Sequence, residues 1–282
     1  MSEWDDELEE GEALQVIHER FPEFADLPVT PVHEGWDSYV FVAGEEWVIR
    51  VPRRANVEQA LRQEARLLAA IGPRLPARVP VPVRISEPSP IAVLAPRIPG
   101  LPAADHPATA RQLGAFLRVL HGVPVESTPI PVAGIEEWRN AHANRRAEFE
   151  QTVFPLLRLE ERDRAKAMFD GVTFDFRPVI VHGDLSADHV LADPDGTING
   201  VIDWSDARSG DPAIDLAWPL HGMSEAFADA LLSTYGEVDG DALARAAFYH
   251  RRSPWYEVLY GLQRQRDGLV ESGLARIRSR LP

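Results

Sequence analysis

Between residues 178 and 204 an apolar run, Pro178-Val179-Ile180-Val181, gives way to a polar loop, His182-Gly183-Asp184-Leu185-Ser186-Ala187-Asp188-His189. A second apolar run starts at Val190. Pro194-Asp195-Gly196 marks a turn, and a third run ends on Ile202-Asp203-Trp204. Short apolar runs bounded by turn residues read as strands. A chain with this segment must carry carboxylates and imidazoles at strand tips, inside a background whose spacing is otherwise helical. That is a rigid scaffold presenting charge to something small.

The 282 residues suffice for two lobes and a sizeable core. Hydrophobic residues at 45% and charged residues at 26% make a globular composition. The lack of cysteine excludes disulfides, a thiolate nucleophile and a zinc–thiolate site. With no apolar run of about 18 residues, no membrane partner is expected. The acidic N-terminus does not read as a secretory signal, so the expected location is cytoplasmic. A formal charge of −15 repels phosphate backbones, and nucleic acid is not an expected partner. The same charge suits a cationic, amine-bearing small molecule, or serves solubility alone.

Along the chain, a helix is expected around 13–21. Short alternating runs at 29–33, 39–43 and 47–51, punctuated by Gly35 and Gly44, read as a β-meander with a tight turn at Gly44-Glu45. Residues 57–71 read as a helix whose Leu61, Ala65 and Leu68 share one face. Glu64 lies on that face. A carboxylate turned inward needs a partner, unless it sits at the rim against a surface arginine. Two strand-like runs, 83–86 and 91–95, precede Pro96-Arg97-Ile98-Pro99-Gly100, which reads as a hinge. Beyond it the spacing is helical, at Leu113, Phe116, Leu117 and Leu120, near 135–150 and 156–170, and again from Pro212 to the end. The expected fold is α+β and bilobal, with a β-rich lobe at 1–97 and a mostly helical lobe at 98–282.

In the loop, Gly183 lets His182 and Asp184 project from one bend. Asp184 is placed to take a proton from a substrate hydroxyl, or else caps nearby amides. His182 either takes part in that chemistry or braces the loop through its ring nitrogens. His189 and Asp203, brought together across a hairpin, can hold a divalent cation, Mg²⁺ or, given the imidazole, Mn²⁺. Asp203 beside Gly-Val-Ile and Trp is costly to bury without a partner.

These residues resemble the aminoglycoside/macrolide phosphotransferase family, which has a protein-kinase-like fold. His182-Gly183-Asp184-Leu185, His189 and Ile202-Asp203-Trp204 carry the resemblance. So do Trp47-Val48-Ile49-Arg50-Val51-Pro52-Arg53-Arg54, Glu64, the hinge, and Gly210-Asp211-Pro212 with Asp215-Leu216-Ala217. The resemblance implies a nucleotide, GTP or ATP, with Mg²⁺ held by His189 and Asp203, and Asp184 acting on an acceptor hydroxyl. It also implies a first-lobe cation on the phosphates paired with Glu64, and backbone at Pro96, Arg97 and Ile98 along the purine edge. His189 stands where asparagine is usual, and Arg50 where lysine is usual; both resemble the macrolide branch. Arg50, Arg53 and Arg54 all remain candidates for the phosphate contact, since arginine is no simple equivalent of lysine. The first-lobe loop from Glu34 to Ser38 is either a phosphate contact, through Ser38 and local amides, or an ordinary β-turn.

The expected activity is transfer of the γ-phosphate of GTP or ATP to a hydroxyl of a macrolide, with an aminoglycoside or small-metabolite alcohol as the alternative acceptor. Asp206, Trp218, Tyr256 and Glu257 are the candidate acceptor-binding residues, with Asp211 a further acid. Asp211 and Asp215 are alternatively braces for the loop. Two rivals from other classes are a metal-dependent hydrolase built on His182, Asp184, His189 and Asp203, and a non-catalytic nucleotide-binding module.

Overall fold

Residues 8–34 and 37–282 are described by a computed structural model. Helix α1 (Glu10–Arg20) precedes a five-stranded antiparallel sheet in the order β1-β2-β3-β5-β4. Its strands are β1 (Val29–Glu34), β2 (Ser38–Ala43), β3 (Trp47–Pro52), β4 (Arg84–Ile85) and β5 (Val93–Pro96). Alternation along β2 and β3 turns Phe41, Ile49 and Val51 inward, where they meet Ala13, Ile17 and Phe21. Burying each large apolar side chain contributes about 1.5–3 kcal/mol. The β2–β3 turn is longer than expected: Ala43 pairs with Trp47, leaving Gly44, Glu45 and Glu46 in the loop. Strands β4 and β5 are shorter than their apolar runs.

Helix α2 (Ala55–Ile71) begins two residues before its expected start. It serves two cores. Val57 and Leu61 meet Ile91 and Val93, while Leu67, Leu68 and Ile71 enter the core of the helical lobe. The proline-rich stretch that follows lies along the hairpin of residues 190–201, where the Arg78 carbonyl accepts from the Val201 amide at 2.9 Å.

After the hinge, β6 (Leu101–Pro102) pairs with β8 (Val190–Ala192), which pairs with β9 (Ile198–Val201). A separate two-stranded ladder joins β7 (Val179–Val181) to β10 (Arg208–Gly210). Helices α3 (Pro107–His121), α4 (Ile135–Thr152), α5 (Leu159–Asp170), α6 (Ala213–His221), α7 (Glu225–Tyr235), α8 (Gly240–Gln263) and α9 (Asp267–Arg280) build the remainder. Helix α5 starts three residues later than its expected onset, because Phe154-Pro155-Leu156 forms a 3₁₀ turn. Capping follows the sequence: Ser224 accepts from the Phe227 amide and Asp239 from the Ala242 amide. At Gly114, α3 and α7 approach so closely that a Cβ would lie 2.2 Å from the Leu231 carbonyl oxygen. The architecture is mixed α+β, a sheet lobe followed by a helical lobe. No helix among the described residues is long and apolar enough to cross a membrane.

Candidate active site

The loop 182–189 leaves β7 and is fixed by its backbone. Asp215, fully buried on α6, accepts from the His182 and Gly183 amides, both at 2.8 Å, and from His121 Nε2 at 3.2 Å. Burial opposes the charge on Asp215, but these donors outweigh it and hold its carboxyl below the usual range. His121 Nδ1 in turn lies 2.9 Å from the Tyr235 hydroxyl. Asp211, also fully buried, accepts from Arg245 Nε at 2.7 Å and from the Tyr249 hydroxyl at 3.0 Å. Gly183 has φ of +87°, and a Cβ there would sit 2.5 Å from the Asp206 carbonyl oxygen, so the bend requires glycine.

His182 is fully buried. Its Nε2–H donates to the Ile202 carbonyl at 2.9 Å, and its Nδ1 accepts weakly from the Asp184 amide at 3.4 Å. The ring therefore ties the Asp184 backbone to the end of β9. This corrects the catalytic assignment: a buried ring with both nitrogens engaged positions the loop and does not touch a substrate. Asp184, by contrast, has an exposed side chain, at 62%.

His189 closes the loop. Its Nδ1 lies 2.6 Å from the Asp184 carbonyl oxygen, and a carbonyl only accepts, so Nδ1 carries the proton and the lone pair is on Nε2. That Nε2 faces Asp203 Oδ2 at 3.5 Å. Two acceptors face one another, an arrangement that suits a cation between them. Among the described residues no cluster of three metal-ligating side chains occurs. The pair therefore fits a hard cation that draws its remaining ligands from phosphate oxygens and water, as Mg²⁺ commonly does.

Asp203 has φ of +62°, a left-handed conformation that costs energy for a residue other than glycine. Two anchors hold it there. The next residue, Trp204, is fully buried against His182 and Phe116, with its Nε1–H on the Val201 carbonyl. Ser205 Oγ donates to Asp203 Oδ1 at 3.0 Å. Desolvation works against ionisation of Asp203, but the Arg50 charge and the Ser205 hydrogen bond favour the carboxylate, and its carboxyl lies below the usual range.

From the first lobe, Arg50 on β3 donates through one terminal nitrogen to both Glu64 oxygens, at 2.7 and 2.9 Å, and through the other to Ser205 Oγ at 2.8 Å. Burial alone would lower the Arg50 pKa; Glu64 and Asp203 raise it instead, and the guanidinium stays charged. This selects one arginine from three. Arg53 stacks over the Tyr39 ring at 4.5 Å, and Arg54 pairs with Asp37 at 2.7 Å. Glu64 is the inward-facing member of a buried pair, and the rim reading does not hold.

Ser38 is buried on β2, and its Oγ has no hydrogen-bond partner among the described residues. Gly35 and Trp36 of the adjoining loop lie outside the described residues. At the hinge, Pro96 pairs with Trp47, and the Arg97 amide donates to the Glu46 carbonyl at 2.7 Å. Ile98 follows with its side chain buried.

Of the four candidate acceptor residues, only Asp206 stands beside the loop. Partial desolvation raises its carboxyl, Arg208 works against that, and Asp184 and Asp203 add to it. The other three are engaged elsewhere in the helical lobe. Glu257 is committed to α9, accepting from Ser272 and Arg276 at 2.5 and 2.7 Å. Tyr256 packs edge-on to Phe149 at 5.3 Å between Arg145 and Arg252. Trp218 packs on Phe227 at 6.1 Å against the lobe's core. Helical spacing does not separate an aromatic that lines a cleft from one that fills a core. The sequence reading also missed Ser205, His121 and Tyr235. Ser205 adjoins Ile202-Asp203-Trp204 and was within reach of a local argument; nothing in spacing points to the other two.

Residues 28–249 match the phosphotransferase enzyme family, APH. The chain is 29% identical to viomycin phosphotransferase of Streptomyces vinaceus over 259 residues, covering 84% of this chain and 87% of that protein. Among solved structures it is similar to the GDP complex of wild-type aminoglycoside 2'-phosphotransferase-IIIa, with a TM-score of 0.84, 24% identity, and coverage of 97% and 98% of the two chains. It is also similar to the macrolide 2'-phosphotransferase MphH of Brachybacterium faecium, with a TM-score of 0.70, 26% identity and coverage of 89% and 93%. The match across residues 28–249, which spans the sheet lobe and most of the helical lobe with its loop 182–189, makes this protein a member of the APH phosphotransferase enzyme family.

Proposed function

We propose that the protein transfers the γ-phosphoryl group of a purine nucleoside triphosphate to a hydroxyl of an amine-bearing antibiotic. The observation that carries this reading is the convergence of Arg50, Asp203, His189 and Asp184 on one loop, with Arg50 already paired to Glu64. A metal-dependent hydrolase needs no such pair. Asp184 takes the proton of the acceptor hydroxyl, and the acceptor oxygen bonds to the γ-phosphorus. The bond from that phosphorus to the β–γ bridging oxygen breaks, and the nucleoside diphosphate leaves with that oxygen. Arg50 lies against the phosphates, with Ser38 and the β1–β2 backbone near them. The backbone of Pro96, Arg97 and Ile98 runs along the purine edge, where the two lobes join at the boundary between residues 97 and 98. Mg²⁺, or Mn²⁺, held by His189 and Asp203, neutralises phosphate charge when bound. His182 and Asp215 keep Asp184 in place.

The finer reading is a macrolide acceptor and GTP as donor. It rests on His189 in place of asparagine, on Arg50 in place of lysine, and on Asp206 as a carboxylate beside the loop for the amino sugar. A second acceptor reading, an aminoglycoside or viomycin, is favoured by similarity to the Streptomyces vinaceus enzyme. Incubation with Mg²⁺ and GTP or ATP, against erythromycin, kanamycin and viomycin in turn, separates them. A mass gain of one phosphate on erythromycin with GTP is expected. Phosphate on kanamycin or viomycin alone overturns the macrolide reading, and free phosphate with no modified drug under any condition overturns the transfer itself.

A further inference from the structure

A cavity of about 180 Å³ lies in the helical lobe between α4, α5, the segment 172–174 and α8. Phe149, Phe169, Phe174 and Phe248 wall it, and His142 and Arg252 face it. Trp138 separates it from the loop segment: its ring lies 5.0 Å from His142, and the Arg208 guanidinium sits 5.3 Å over it. None of the residues proposed for phosphoryl transfer lines it.

Arg252 is 7% exposed. Its guanidinium lies over the rings of Tyr249, Tyr256 and Phe248 at 4.9, 5.3 and 5.5 Å, and its Nε–H has no hydrogen-bond partner. Among the described residues no carboxylate pairs with it. The neighbouring cations differ: Arg139 pairs with Glu136, Arg145 with Glu148, Arg146 with Glu150 and Asp170, and Arg245 with Asp211. A buried cation with ring faces and no anion is costly, since ring quadrupoles offset only part of the lost hydration.

His142 is the second unmatched group. Its Nδ1 lies 2.9 Å from the Trp138 carbonyl oxygen, so Nδ1 carries the proton. The lone pair is on Nε2, which is buried and unpartnered. Burial and the Arg252 charge lower this imidazole to about 3, so it stays neutral and an acceptor. The ring packs at a tilt against Phe174, with centroids 4.3 Å apart.

Of the four arginines that line the cavity, Arg139, Arg145, Arg146 and Arg252, only Arg252 lacks a carboxylate partner among the described residues, and with the His142 acceptor and the aromatic walls it bounds a volume suited to one ring. We propose that it binds a small aromatic hydroxy acid, with the carboxylate on Arg252, the hydroxyl donating to His142 Nε2 and the ring between the phenylalanines. This site is independent of the transfer reaction proposed above and of its acceptor.

Calorimetric titration of the full chain with 3-hydroxybenzoate at neutral pH tests it. Saturable binding at one site is expected, with the methyl ester at least about tenfold weaker, because a charge-assisted hydrogen bond is lost. Arg252→Met is expected to weaken 3-hydroxybenzoate by a similar factor. Its unfolding midpoint should not fall, since an uncompensated buried charge has been removed. His142→Phe is expected to abolish any preference for 3-hydroxybenzoate over benzoate. No saturable heat up to about 10 mM overturns the proposal. So does an ester that binds as well as the acid, which would mark a merely apolar cavity and requires no variant to fold.

Discussion

Arg50 donates to Ser205 at 2.8 Å, across 155 residues of sequence, while its other terminal nitrogen holds Glu64. One guanidinium therefore joins the first-lobe helix to the turn that carries Asp203. Glu64, Arg50, Ser205 and Asp203 form a continuous chain of hydrogen bonds. Arg50→Met is expected to leave a buried carboxylate unpaired and to cost about 3 kcal/mol in urea unfolding. Adding Glu64→Leu should recover much of that stability and none of the activity. A double variant no more stable than the single would show that the pair is not a coupled unit. Arg50→Lys keeps the charge but loses the fork, and turnover should fall well below wild type.

Asp184→Asn is expected to fold normally and to lose about 10²–10⁴-fold in kcat, the range for a removed general base. Nucleotide affinity, read by titration with a non-hydrolysable analogue, should change little. Retained turnover would return Asp184 to a capping role.

His189 separates metal binding from loop packing. His189→Asn restores an oxygen donor and should retain activity with Mg²⁺. His189→Ala should need much more metal for half-maximal rate while keeping its unfolding midpoint within a few degrees. Equal metal dependence in the two variants would remove His189 from the cation site. Removing metal with a chelator is expected to abolish transfer in every variant.

The loop also depends on the charge of Asp215. Its folded pKa lies below the unfolded value, so its contribution to stability is fully present above about pH 4. That contribution is lost as pH falls further, through the folded pKa. Asp215→Asn removes the charge at all pH values and turns an amide toward the His182 and Gly183 amides, at a cost of about 3 kcal/mol. Its stability should then be flatter than wild type below pH 4 in acid titrations followed by circular dichroism.

His142 acts in a higher window. Its folded pKa is lowered to about 3 from an ordinary value near 6.5. Between those values the unfolded chain binds a proton that the folded chain does not, so stability falls as pH falls. The slope approaches ~1.4 kcal/mol per pH unit at its steepest. His142→Phe should remove that slope between about pH 6 and 4, and a wild-type profile already flat there would contradict the burial of a neutral imidazole.

Local spacing made much of this protein legible. The period of two in β2 and β3, the 3.6 spacing in α2 and α3, and the turn at Pro194-Asp195-Gly196 are set by residues near one another in sequence. So is the appearance of Asp184, His189 and Asp203 on one hairpin, since β8 and β9 are joined by a short turn. Spacing also put Glu64 on the buried face of α2. It did not say which of three adjacent arginines would meet it, because that depends on how β3 is pleated and how α2 packs across it. Asp215 was one of two acids read as alternative braces for the loop, but its partners His121 and Tyr235 come from two other helices and were invisible for the same reason. Tyr256, Glu257 and Trp218 looked alike along their helices, and only tertiary packing showed that these half-buried side chains engage α4, α9 and α7. The left-handed turn at Asp203 is held by Trp204, buried within the helical lobe, and by Arg50 through Ser205, a contact that exists only once both lobes are in place.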